Sequence, residues 1–386
     1  MSYLPDKKYI IQTVRRQKMG ANVIVGMSGG VDSSVAAYLL KKQGYNVTGV
    51  TMKIWDGESE QPAIDAAKVA KELGIEHIVI DFREDFKRYV IDYFVKEYTL
   101  GRTPNPCVVC NRYVKWEALL SKISDLGADY IATGHYATIR ELDNKRRTVS
   151  CSVNMAKDQT YALYNLTQEQ LAKTIMPVGE YSKDEIRKIA AEIGIAVAYK
   201  PDSMEICFIP DNDYASYIKK YSGYEAVPGN FVDLEGNIIG KHKGIIHYTV
   251  GQRKGLGLAM GYPVFVVAIK PDTNEVVVGE NKDVFRTSLY ANKVNFMGME
   301  PAVKGAEFRA TAKIRYSHNG ADCIVKMVDD DLMECVFDEP QRAITPGQSV
   351  VLYKEDYVLG GGVIIEPERG ILCVLHIFQI CISEKE

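Results

Sequence analysis

The sequence lacks any strong imbalance of charge and any long hydrophobic run. Its 386 residues carry a formal net charge of −3, which excludes a globally basic nucleic-acid-binding protein and leaves such binding to local patches. The longest apolar run, 371–382, contains His376 and Gln379 and is too short to cross a bilayer. The first twenty residues are mildly basic but lack the apolar core of a secretory signal. We therefore expect a cytoplasmic protein without a membrane partner.

Cysteine is also scarce, with eight residues in the whole chain. A cytoplasmic chain of this length does not depend on a disulfide framework. Cys323 and Cys335 lie in alternating apolar runs and are predicted to be buried core residues. Cys107, Cys110 and Cys207 lie in segments of a different kind and need a separate explanation.

The chain has a glycine-rich loop after a predicted strand, and this loop lacks the lysine of a Walker P-loop. Residues 23–34 read Val-Ile-Val-Gly-Met-Ser-Gly-Gly-Val-Asp-Ser-Ser, which predicts a buried strand, a sharp turn and a helix that begins near Asp32. Such a turn directs several backbone N–H groups to one point, where the helix dipole adds positive potential. The segment therefore predicts an anion-binding loop that differs from the GxxxxGK[ST] design.

Strand and helix patterns alternate between residues 22 and 133. The predicted strands are 22–27, 46–53, 76–81 and 130–133, and the predicted helices are 33–43, 63–73, 83–98 and 114–126. This alternation predicts an α/β domain, a doubly wound parallel sheet with helices on both faces and a ligand at the carboxyl ends of its strands. Helical patterns at 167–174 and 183–193 extend this domain.

Strand and turn signals dominate after about residue 212. Short apolar runs separated by glycines predict a small β-rich central domain. Alternating runs then predict a C-terminal β-barrel, with strands at 293–297, 309–316, 322–328, 333–337, 349–353 and 357–364. The predicted domains are 1–212, 213–285 and 286–366, followed by a tail, 367–386, without an assigned structure.

Two segments place cysteines in unusual surroundings. Residues 101–112, Gly-Arg-Thr-Pro-Asn-Pro-Cys-Val-Val-Cys-Asn-Arg, hold two prolines in three positions, which predicts a stiff, non-helical loop. Arg102 and Arg112 are expected to favour the thiolate of a nearby cysteine. Cys207 follows a Pro-Asp-Ser turn in a short apolar stretch and, taken alone, fits a buried core cysteine better than a nucleophile.

These segments together resemble the tRNA-specific 2-thiouridylase family of the PP-loop ATP pyrophosphatases. The superfamily's SGGxDS pyrophosphate loop is matched at 28–33, and the family's TPNPxxxCN and Cys-Phe-Ile motifs are matched at 103–111 and 207–209. The resemblance extends over roughly residues 20–366, with further motifs at 132–137, 157–161, 248–253, 337–342, 345–349 and 360–362.

The resemblance implies an ATP-dependent sulfurtransferase with an adenine nucleotide alpha hydrolase-like first domain. In this family ATP adenylates the C2 oxygen of the wobble uridine in tRNA. Sulfur from a cysteine persulfide then replaces that oxygen, which gives 2-thiouridine, AMP and pyrophosphate. The implied cofactors are ATP and Mg²⁺. The implied partners are the anticodon loop of tRNA, whose bases can leave their stack, and a sulfur-donor protein, either a cysteine desulfurase or a relay.

The family's functional residues correspond to named positions of this chain. Cys110 and Cys207 take the catalytic places. Cys207 would carry the persulfide, and Cys110 would either resolve the adduct, leaving a Cys110–Cys207 disulfide, or release hydrosulfide first. The ATP-binding places are Gly26, Met27, Ser28, Gly29, Gly30, Val31, Asp32, Ser33, Met52 and Gly134. The tRNA-binding places are Asn105, Pro106, Cys107, His135, Lys157, Asp158, Gln159, Arg315, Tyr316 and Gln348.

One position departs from the family pattern. Cys107 stands three residues before Cys110, where familiar members have Asp. With Cys207 this makes three thiols, which suggests an alternative in which a [4Fe–4S] cluster with one open iron position delivers the sulfur. Zinc with an open site is the weaker form of the same alternative.

A basic segment between residues 238 and 270 contains no Asp or Glu. It predicts a local surface suited to a phosphate backbone, and a solvated loop region is the alternative. Its basic residues and histidines are Lys241, His242, Lys243, His247, Arg253, Lys254 and Lys270.

Three other functions compete with this interpretation. A different PP-loop adenylating ligase would share the first loop but not the paired cysteines or the 157–161 motif. A noncatalytic RNA-binding or redox-sensing protein would use the same fold, but the intact loop, Cys110 and Cys207 argue against it. A CxxC dithiol oxidoreductase is disfavoured because residues 107–110 lie in a predicted proline-rich loop and not at a helix start after a strand.

Overall fold

The computed structural model describes residues 20–57, 59–123, 125–195 and 206–366, so the predicted tail 367–386 lies outside the described residues. The described residues form two compact units. The first unit takes residues between 20 and 87, 110–195 and 356–358, and the second takes 88–109, 206–355 and 359–366. Within this described part, no helix is long and apolar enough to cross a membrane.

Most of the helices belong to the first unit. Along the chain, the α-helices are α1 (Val31–Lys42), α2 (Gln61–Leu73), α3 (Arg83–Phe86), α4 (Asp92–Thr99), α5 (Pro106–Val109), α6 (Leu119–Ile123), α7 (Thr160–Leu163), α8 (Gln168–Ala172), α9 (Lys183–Glu192) and α10 (Tyr214–Ser222). Two π-helical segments join α3 to α4 and α5 to α6, namely Lys87–Ile91 and Cys110–Ala118. Short 3-10 turns occur at Met155–Lys157, Ile245–His247 and Asn281–Val284.

The strands of both units are short in the first half of the chain and longer in the second. They are β1 (Asn22–Gly26), β2 (Asn46–Lys53), β3 (Glu76–Asp81), β4 (Tyr130–Ala132), β5 (Ala137–Glu141), β6 (Arg147–Cys151), β7 (Thr174–Ile175), β8 (Gly229–Val232), β9 (Ile238–His242), β10 (Phe265–Lys270), β11 (Glu275–Gly279), β12 (Phe285–Phe296), β13 (Glu307–Lys313), β14 (Ala321–Asp329), β15 (Leu332–Arg342), β16 (Ser349–Lys354) and β17 (Tyr357–Ile365).

A parallel five-stranded sheet organises the first unit, with strand order β3-β2-β1-β4-β7. Val23, Ile24 and Val25 of β1 are at most 1% exposed, as expected for a strand covered on both faces. Helices α1, α2 and α9 contribute to one apolar core with β1. The strand order reverses between β1 and β4, and this reversal opens the usual ligand crevice at their carboxyl ends. The predicted α/β fold is confirmed.

The β5–β6 hairpin of the first unit was not predicted, because its strands are short and largely polar. It pairs with a segment from the far end of the chain that belongs to the same unit. Tyr357 lies opposite Ser150, and the Thr148 hydroxyl donates to the Val358 carbonyl at 2.5 Å. The first unit therefore includes three residues from near the C-terminal end of the described chain.

The prediction of a non-helical loop over residues 101–112 is wrong from Pro106 onward. Helix α5 begins at Pro106, and the following segments remain helical. Proline suits the first position of a helix, because the N–H that it lacks would have no partner there. Asn105 Oδ1 also accepts a hydrogen bond from the Cys107 N–H at 3.1 Å, in the manner of an N-cap. Residues 107–110 therefore do lie at a helix start, as in a dithiol oxidoreductase. The element before that helix is helix α4 and not a strand, so this second part of the argument against an oxidoreductase still holds.

The second unit contains a four-stranded sheet and a closed barrel. The sheet has the order β10-β11-β8-β9, and its core includes Phe231, Val266 and Val276. The barrel strands neighbour one another in the order β12-β15-β14-β13-β16-β17, and β12 also pairs with β17, which closes the barrel. Cys323 and Cys335 are fully buried. The predicted barrel and its two core cysteines are confirmed.

Candidate active site

The loop after β1 is held by its own hydrogen bonds. The Ser33 hydroxyl donates to the Gly30 carbonyl at 3.2 Å and accepts from the Ser28 N–H at 3.2 Å. Gly29 has a φ of +67°, and a Cβ there would lie 2.5 Å from the carbonyl oxygen of Pro62. Only glycine fits both conditions. The loop therefore presents the N-terminus of α1 as a preformed anion-binding site.

Gly134 follows β4 and lies directly against the start of α1. A Cβ on Gly134 would lie 2.6 Å from the backbone nitrogen of Ser33 and 2.7 Å from the carbonyl carbon of Asp32. Because these are backbone atoms, they cannot rotate away from a side chain. The structure thus brings together the predicted ATP-binding residues of the loops that follow β1 and β4.

Lys183 forms a charged contact at this loop that the sequence pattern did not identify. Its Nζ lies 2.9 Å from both carboxylate oxygens of Asp32. The Tyr136 hydroxyl donates to Asp32 Oδ1 at 2.8 Å. Lys183 is the first residue of α9, where Ser182 and Glu185 form a capping box. A positive charge in the first turn of a helix is unfavourable, because it opposes the helix dipole. This unfavourable placement is the sequence signal that could have identified Lys183 as a functional candidate.

Met52 lies near the carboxyl end of β2, opposite Ile80 of β3. The adjacent Thr51 hydroxyl donates to the Met27 carbonyl at 2.8 Å. This bond joins the end of β2 to the start of the glycine-rich loop. Met52 therefore lies at the same edge of the sheet as the rest of the predicted ATP-binding set.

Cys110 opens the π-helical segment of the first unit and is 7% exposed. The neighbouring Asn111 is 2% exposed, and its Nδ2 donates to the Ala162 carbonyl at 2.9 Å. Arg112 Nη1 donates to Gln170 Oε1 at 2.7 Å. The predicted resolving cysteine thus lies in a buried segment whose side chains are fixed by hydrogen bonds.

Arg102 does not act as the uncompensated charge that the sequence suggested. Its Nε donates to Glu366 Oε1 at 2.7 Å, and its Nη1 donates to Glu97 Oε2 at 3.4 Å. Because two carboxylates compensate the guanidinium, the structure does not support a thiolate-stabilising role for Arg102.

Thr103 ties the segment before α5 to the barrel turn at 345–349. Its N–H donates to the Pro346 carbonyl at 2.9 Å, and its carbonyl accepts from Gln348 Nε2 at 2.8 Å. Its hydroxyl lies 3.0 Å from the Thr249 hydroxyl. Gln348, a predicted tRNA contact, therefore holds the segment that carries Asn105, Pro106 and Cys107, of which only Cys107 is exposed.

Cys207 is exposed beside a buried aromatic cluster of the second unit. Phe208 is 1% exposed and packs edge-on against Phe94, with ring centroids 5.4 Å apart. It also packs at a tilt against Tyr217, with ring centroids 5.3 Å apart. Burial is the main cause that raises the pKa of Tyr217 to about 12, and Tyr221 and Cys207 add to it. Phe208 and not Cys207 occupies the core position that the segment alone favoured for the cysteine, and the exposed thiol is accessible, as the role implied by the family resemblance requires.

His135 lies half-buried beside Trp116, with ring centroids 5.6 Å apart. Its Nδ1 is 2.8 Å from the Thr133 hydroxyl. Burial, with a smaller contribution from Lys115, lowers the pKa of His135 well below its usual value. A contact between His135 and RNA at neutral pH would therefore depend on hydrogen bonding or stacking and not on charge.

The other predicted tRNA contact of the first unit is the 157–159 motif. Asp158 is 9% exposed and accepts from the Ser152 N–H at 3.2 Å. Gln159 Oε1 accepts from the Tyr136 N–H at 2.8 Å. These two side chains support the loop that carries Lys157.

Arg315 and Tyr316 lie in the turn after β13. The predicted strand 309–316 is too long, because β13 ends at Lys313. Arg315 Nη1 donates to the Arg342 carbonyl at 3.1 Å, and Tyr316 is 50% exposed. The turn therefore exposes an aromatic ring of the kind that stacks on unpaired bases.

The basic segment carries less positive charge than the sequence suggested. His242 is 3% exposed and packs edge-on against Phe231 and Tyr248. Burial lowers the pKa of His242 and, in the same way, that of His247. Both histidines are mainly neutral at pH 7, so the charge of this segment depends on its lysines and Arg253.

The described residues include all three cysteines of the cluster alternative. Among these residues, no group of three or more His, Cys, Asp or Glu side chains is placed to hold a metal ion. The alternative of a [4Fe–4S] cluster, and its weaker form with zinc, therefore stays a prediction.

Three family models match successive parts of the chain. They are described as a tRNA methyl transferase HUP domain at residues 21–211, a tRNA methyl transferase PRC-barrel domain at 215–280 and an aminomethyltransferase beta-barrel domain at 286–364. Together these models cover most of the described residues.

Curated relatives are similar over nearly their whole length. A Lachnoclostridium phytofermentans protein named tRNA-specific 2-thiouridylase MnmA is 59% identical over 356 residues, which cover 89% of this chain and 99% of the relative. Proteins of the same name from Clostridium kluyveri and Clostridioides difficile are 53% and 52% identical, over 90% of this chain and 99% and 98% of theirs.

Proposed function

The chain belongs to the tRNA-specific 2-thiouridylase family and is an ATP-dependent tRNA-uridine 2-sulfurtransferase; on that premise, we propose that Cys110 and Cys207 transfer the sulfur after the loop at 26–33 has positioned ATP. The observation that carries the proposal is the preformed anion site between β1 and β4. Gly29 and Gly134 are confined there by backbone atoms, and Lys183 reaches the same loop.

Activation of the uracil is the first task of this site. The C2 oxygen is a poor leaving group, and its bond to the α-phosphorus of ATP converts it into part of AMP. Pyrophosphate is released at the same step and remains in the loop. The N-terminus of α1 and the ammonium group of Lys183 offset its negative charge.

Mg²⁺ accompanies ATP in this superfamily. The ion commonly takes one or two carboxylates and completes its coordination with phosphates and water. Asp32 would supply one carboxylate at the loop, and Lys183 and Tyr136 hold that carboxylate in place. When bound, Mg²⁺ would neutralise charge on the phosphates.

Sulfur transfer is the second task. The terminal sulfur of a Cys207 persulfide attacks C2, and AMP leaves with the former uracil oxygen. The Cys110 thiolate then attacks the Cys207 sulfur, which releases the thiolated base and leaves a Cys110–Cys207 disulfide. In the alternative order, Cys110 first releases hydrosulfide from the persulfide, and hydrosulfide attacks C2.

The remaining assignments are part of the same proposal. All members of the tRNA-binding set except Pro106 and Asp158 are exposed or half-buried, and the anticodon loop is the part of tRNA that they would meet. A cysteine desulfurase or relay protein supplies the persulfide sulfur. The cytoplasmic location and the domain boundaries at 212, 285 and 366 stay predictions.

The experiment that tests the proposal is anaerobic thiolation of unmodified tRNA with ATP, Mg²⁺, cysteine and a cysteine desulfurase, followed by mass spectrometry of nucleosides. We expect Cys110→Ala and Cys207→Ala to lower 2-thiouridine formation by at least about 1,000-fold, because each removes a reacting thiol. Cys107→Ala removes a proposed tRNA contact but no reacting thiol, so we expect it to retain 2-thiouridine formation, and the matched control Cys151→Ala is expected to stay within threefold of wild type.

Each other outcome contradicts a stated part of the proposal. No 2-thiouridine from the wild-type protein with any tRNA would contradict the function itself. Full activity of Cys110→Ala would remove that residue from the reaction. Loss of activity in Cys107→Ala together with loss of bound iron would replace the persulfide route by the cluster alternative.

A further inference from the structure

Asn111 carries a side-chain oxygen that the described residues do not satisfy. The residue is 2% exposed, and its Oδ1 is a buried atom without a hydrogen-bond partner among the residues that the structure describes. A buried acceptor without a partner is destabilising, because it loses its hydrogen bonds to water, and native proteins keep few of them. Asn111 directly follows Cys110 in the chain, so the Cα atoms of the two residues lie about 3.8 Å apart.

The direction of the Asn111 amide is set by its other atom. Its Nδ2 donates to the Ala162 carbonyl at 2.9 Å. A carbonyl oxygen can only accept, so the nitrogen of the amide has to face Ala162 and the oxygen has to face away. The chain thus holds a buried hydrogen-bond acceptor in one fixed orientation before any ligand binds.

The chemistry at Cys110 indicates which donor this acceptor would meet, and this step rests on the proposed function. Uracil and cytosine both have an oxygen at C2, so the reacting group alone does not distinguish them. The adjoining ring atom does, because N3 carries a hydrogen in uracil and a lone pair in cytosine. A group that senses N3 has to lie next to the atom that delivers sulfur to C2.

We propose that Asn111 Oδ1 accepts a hydrogen bond from N3–H of the target uracil when the base first binds, and thereby excludes cytosine. The N3 proton leaves when the C2 oxygen is adenylated, because a double bond then forms between C2 and N3, and a proton returns to N3 in the 2-thiouracil product. With cytosine, two acceptors would face each other in a buried site. A site built around one substrate N–H group rejects an analogue without it by about 10⁴- to 10⁵-fold. Cys110 is itself only 7% exposed, so the segment has to open before a base reaches either residue.

The test is a cycle of enzyme and substrate variants. Two otherwise identical tRNAs carry uridine or cytidine at the target position, and the single-turnover rates of 2-thiouridine and 2-thiocytidine formation are measured. For Asn111→Leu, we expect a rate with uridine that is roughly 10- to 100-fold lower. We also expect the ratio of the uridine rate to the cytidine rate to fall by at least about tenfold. Asn111→Gln keeps both the amide donor and the oxygen acceptor and should keep a ratio nearer to that of wild type.

A matched control comes from Ser150, whose Oγ is also buried without a partner among the described residues. Ser150→Ala should leave the ratio of the two rates unchanged, and thermal unfolding shows which variants remain folded. If wild type forms 2-thiouridine and folded Asn111→Leu keeps its rate ratio within threefold, the inference is overturned and the oxygen instead holds a water or serves packing. If wild type forms no 2-thiouridine, the proposed function fails first.

Discussion

Lys183→Met is expected to lower the rate of tRNA-dependent AMP and pyrophosphate formation by about 100- to 1,000-fold, the range found when one preorganised charge-stabilising donor is removed. Methionine keeps most of the length of the side chain and removes its charge. In the folded chain, Lys183 Nζ contacts both oxygens of Asp32 at the N-terminus of α1. Negative charge builds up at this point when pyrophosphate separates from the α-phosphorus.

The alternative is that Lys183 only stabilises the fold. Removal of one member of a buried ion pair costs about 3–5 kcal/mol, and less is expected for this pair because the Asp32 side chain is 26% exposed. Rates are therefore measured below the unfolding temperature of the variant. Lys188→Met on the exposed side of the same helix is the control and should stay within twofold of wild type. If folded Lys183→Met forms AMP and pyrophosphate at the wild-type rate, a direct role of Lys183 is ruled out.

Gly134→Ala is expected to lower the rate of the same ATP-dependent step by at least about 100-fold. The added Cβ would come within 2.6 Å of Ser33 N and 2.7 Å of the Asp32 carbonyl carbon, so the start of α1 has to move. A displacement of about 1 Å at a reacting group is enough for a loss of this size. The strain should also reduce the free energy of unfolding by about 1–3 kcal/mol.

The control for Gly134→Ala is a glycine whose replacement strains the backbone without moving the loop. Gly44 has a φ of +87°, and a Cβ there would meet nothing within 4 Å. Gly44→Ala should therefore cost stability by up to about 1–2 kcal/mol but leave AMP formation within twofold of wild type. Equal losses of activity in the two variants would mean that stability, and not loop geometry, limits the reaction.

The first unit was predictable where local pattern and packing agree. The apolar run of β1, the glycines at 29 and 30 and the apolar face of α1 all point to one strand–turn–helix unit. The barrel strands were predictable for the same reason, since their alternating residues match the two faces of a sheet. Pro106 gave a misleading signal, because proline ends a helix from within but favours one at its first position.

The parts that the sequence did not reveal depend on contacts between distant residues. Lys183 meets Asp32 across 151 positions, and Gln348 meets Thr103 across 245. No local pattern encodes such pairs. The segment around Cys207 was ambiguous when taken alone, because two adjacent apolar residues compete for one core position, and only the packed structure shows that Phe208 occupies it.

The contribution of residues 356–358 to the first unit affects how the chain is made. The Thr148 hydroxyl donates to the Val358 carbonyl, which lies 210 positions later. At a synthesis rate of about 5–20 residues per second, the ribosome needs about 10–40 s to cover that interval. During this time β6 has an unpaired edge, which is a site for wrong strand pairing. A nascent chain released before residue 356 would therefore leave the N-terminal unit incomplete, and chaperones that bind exposed strands would have their longest opportunity at this stage.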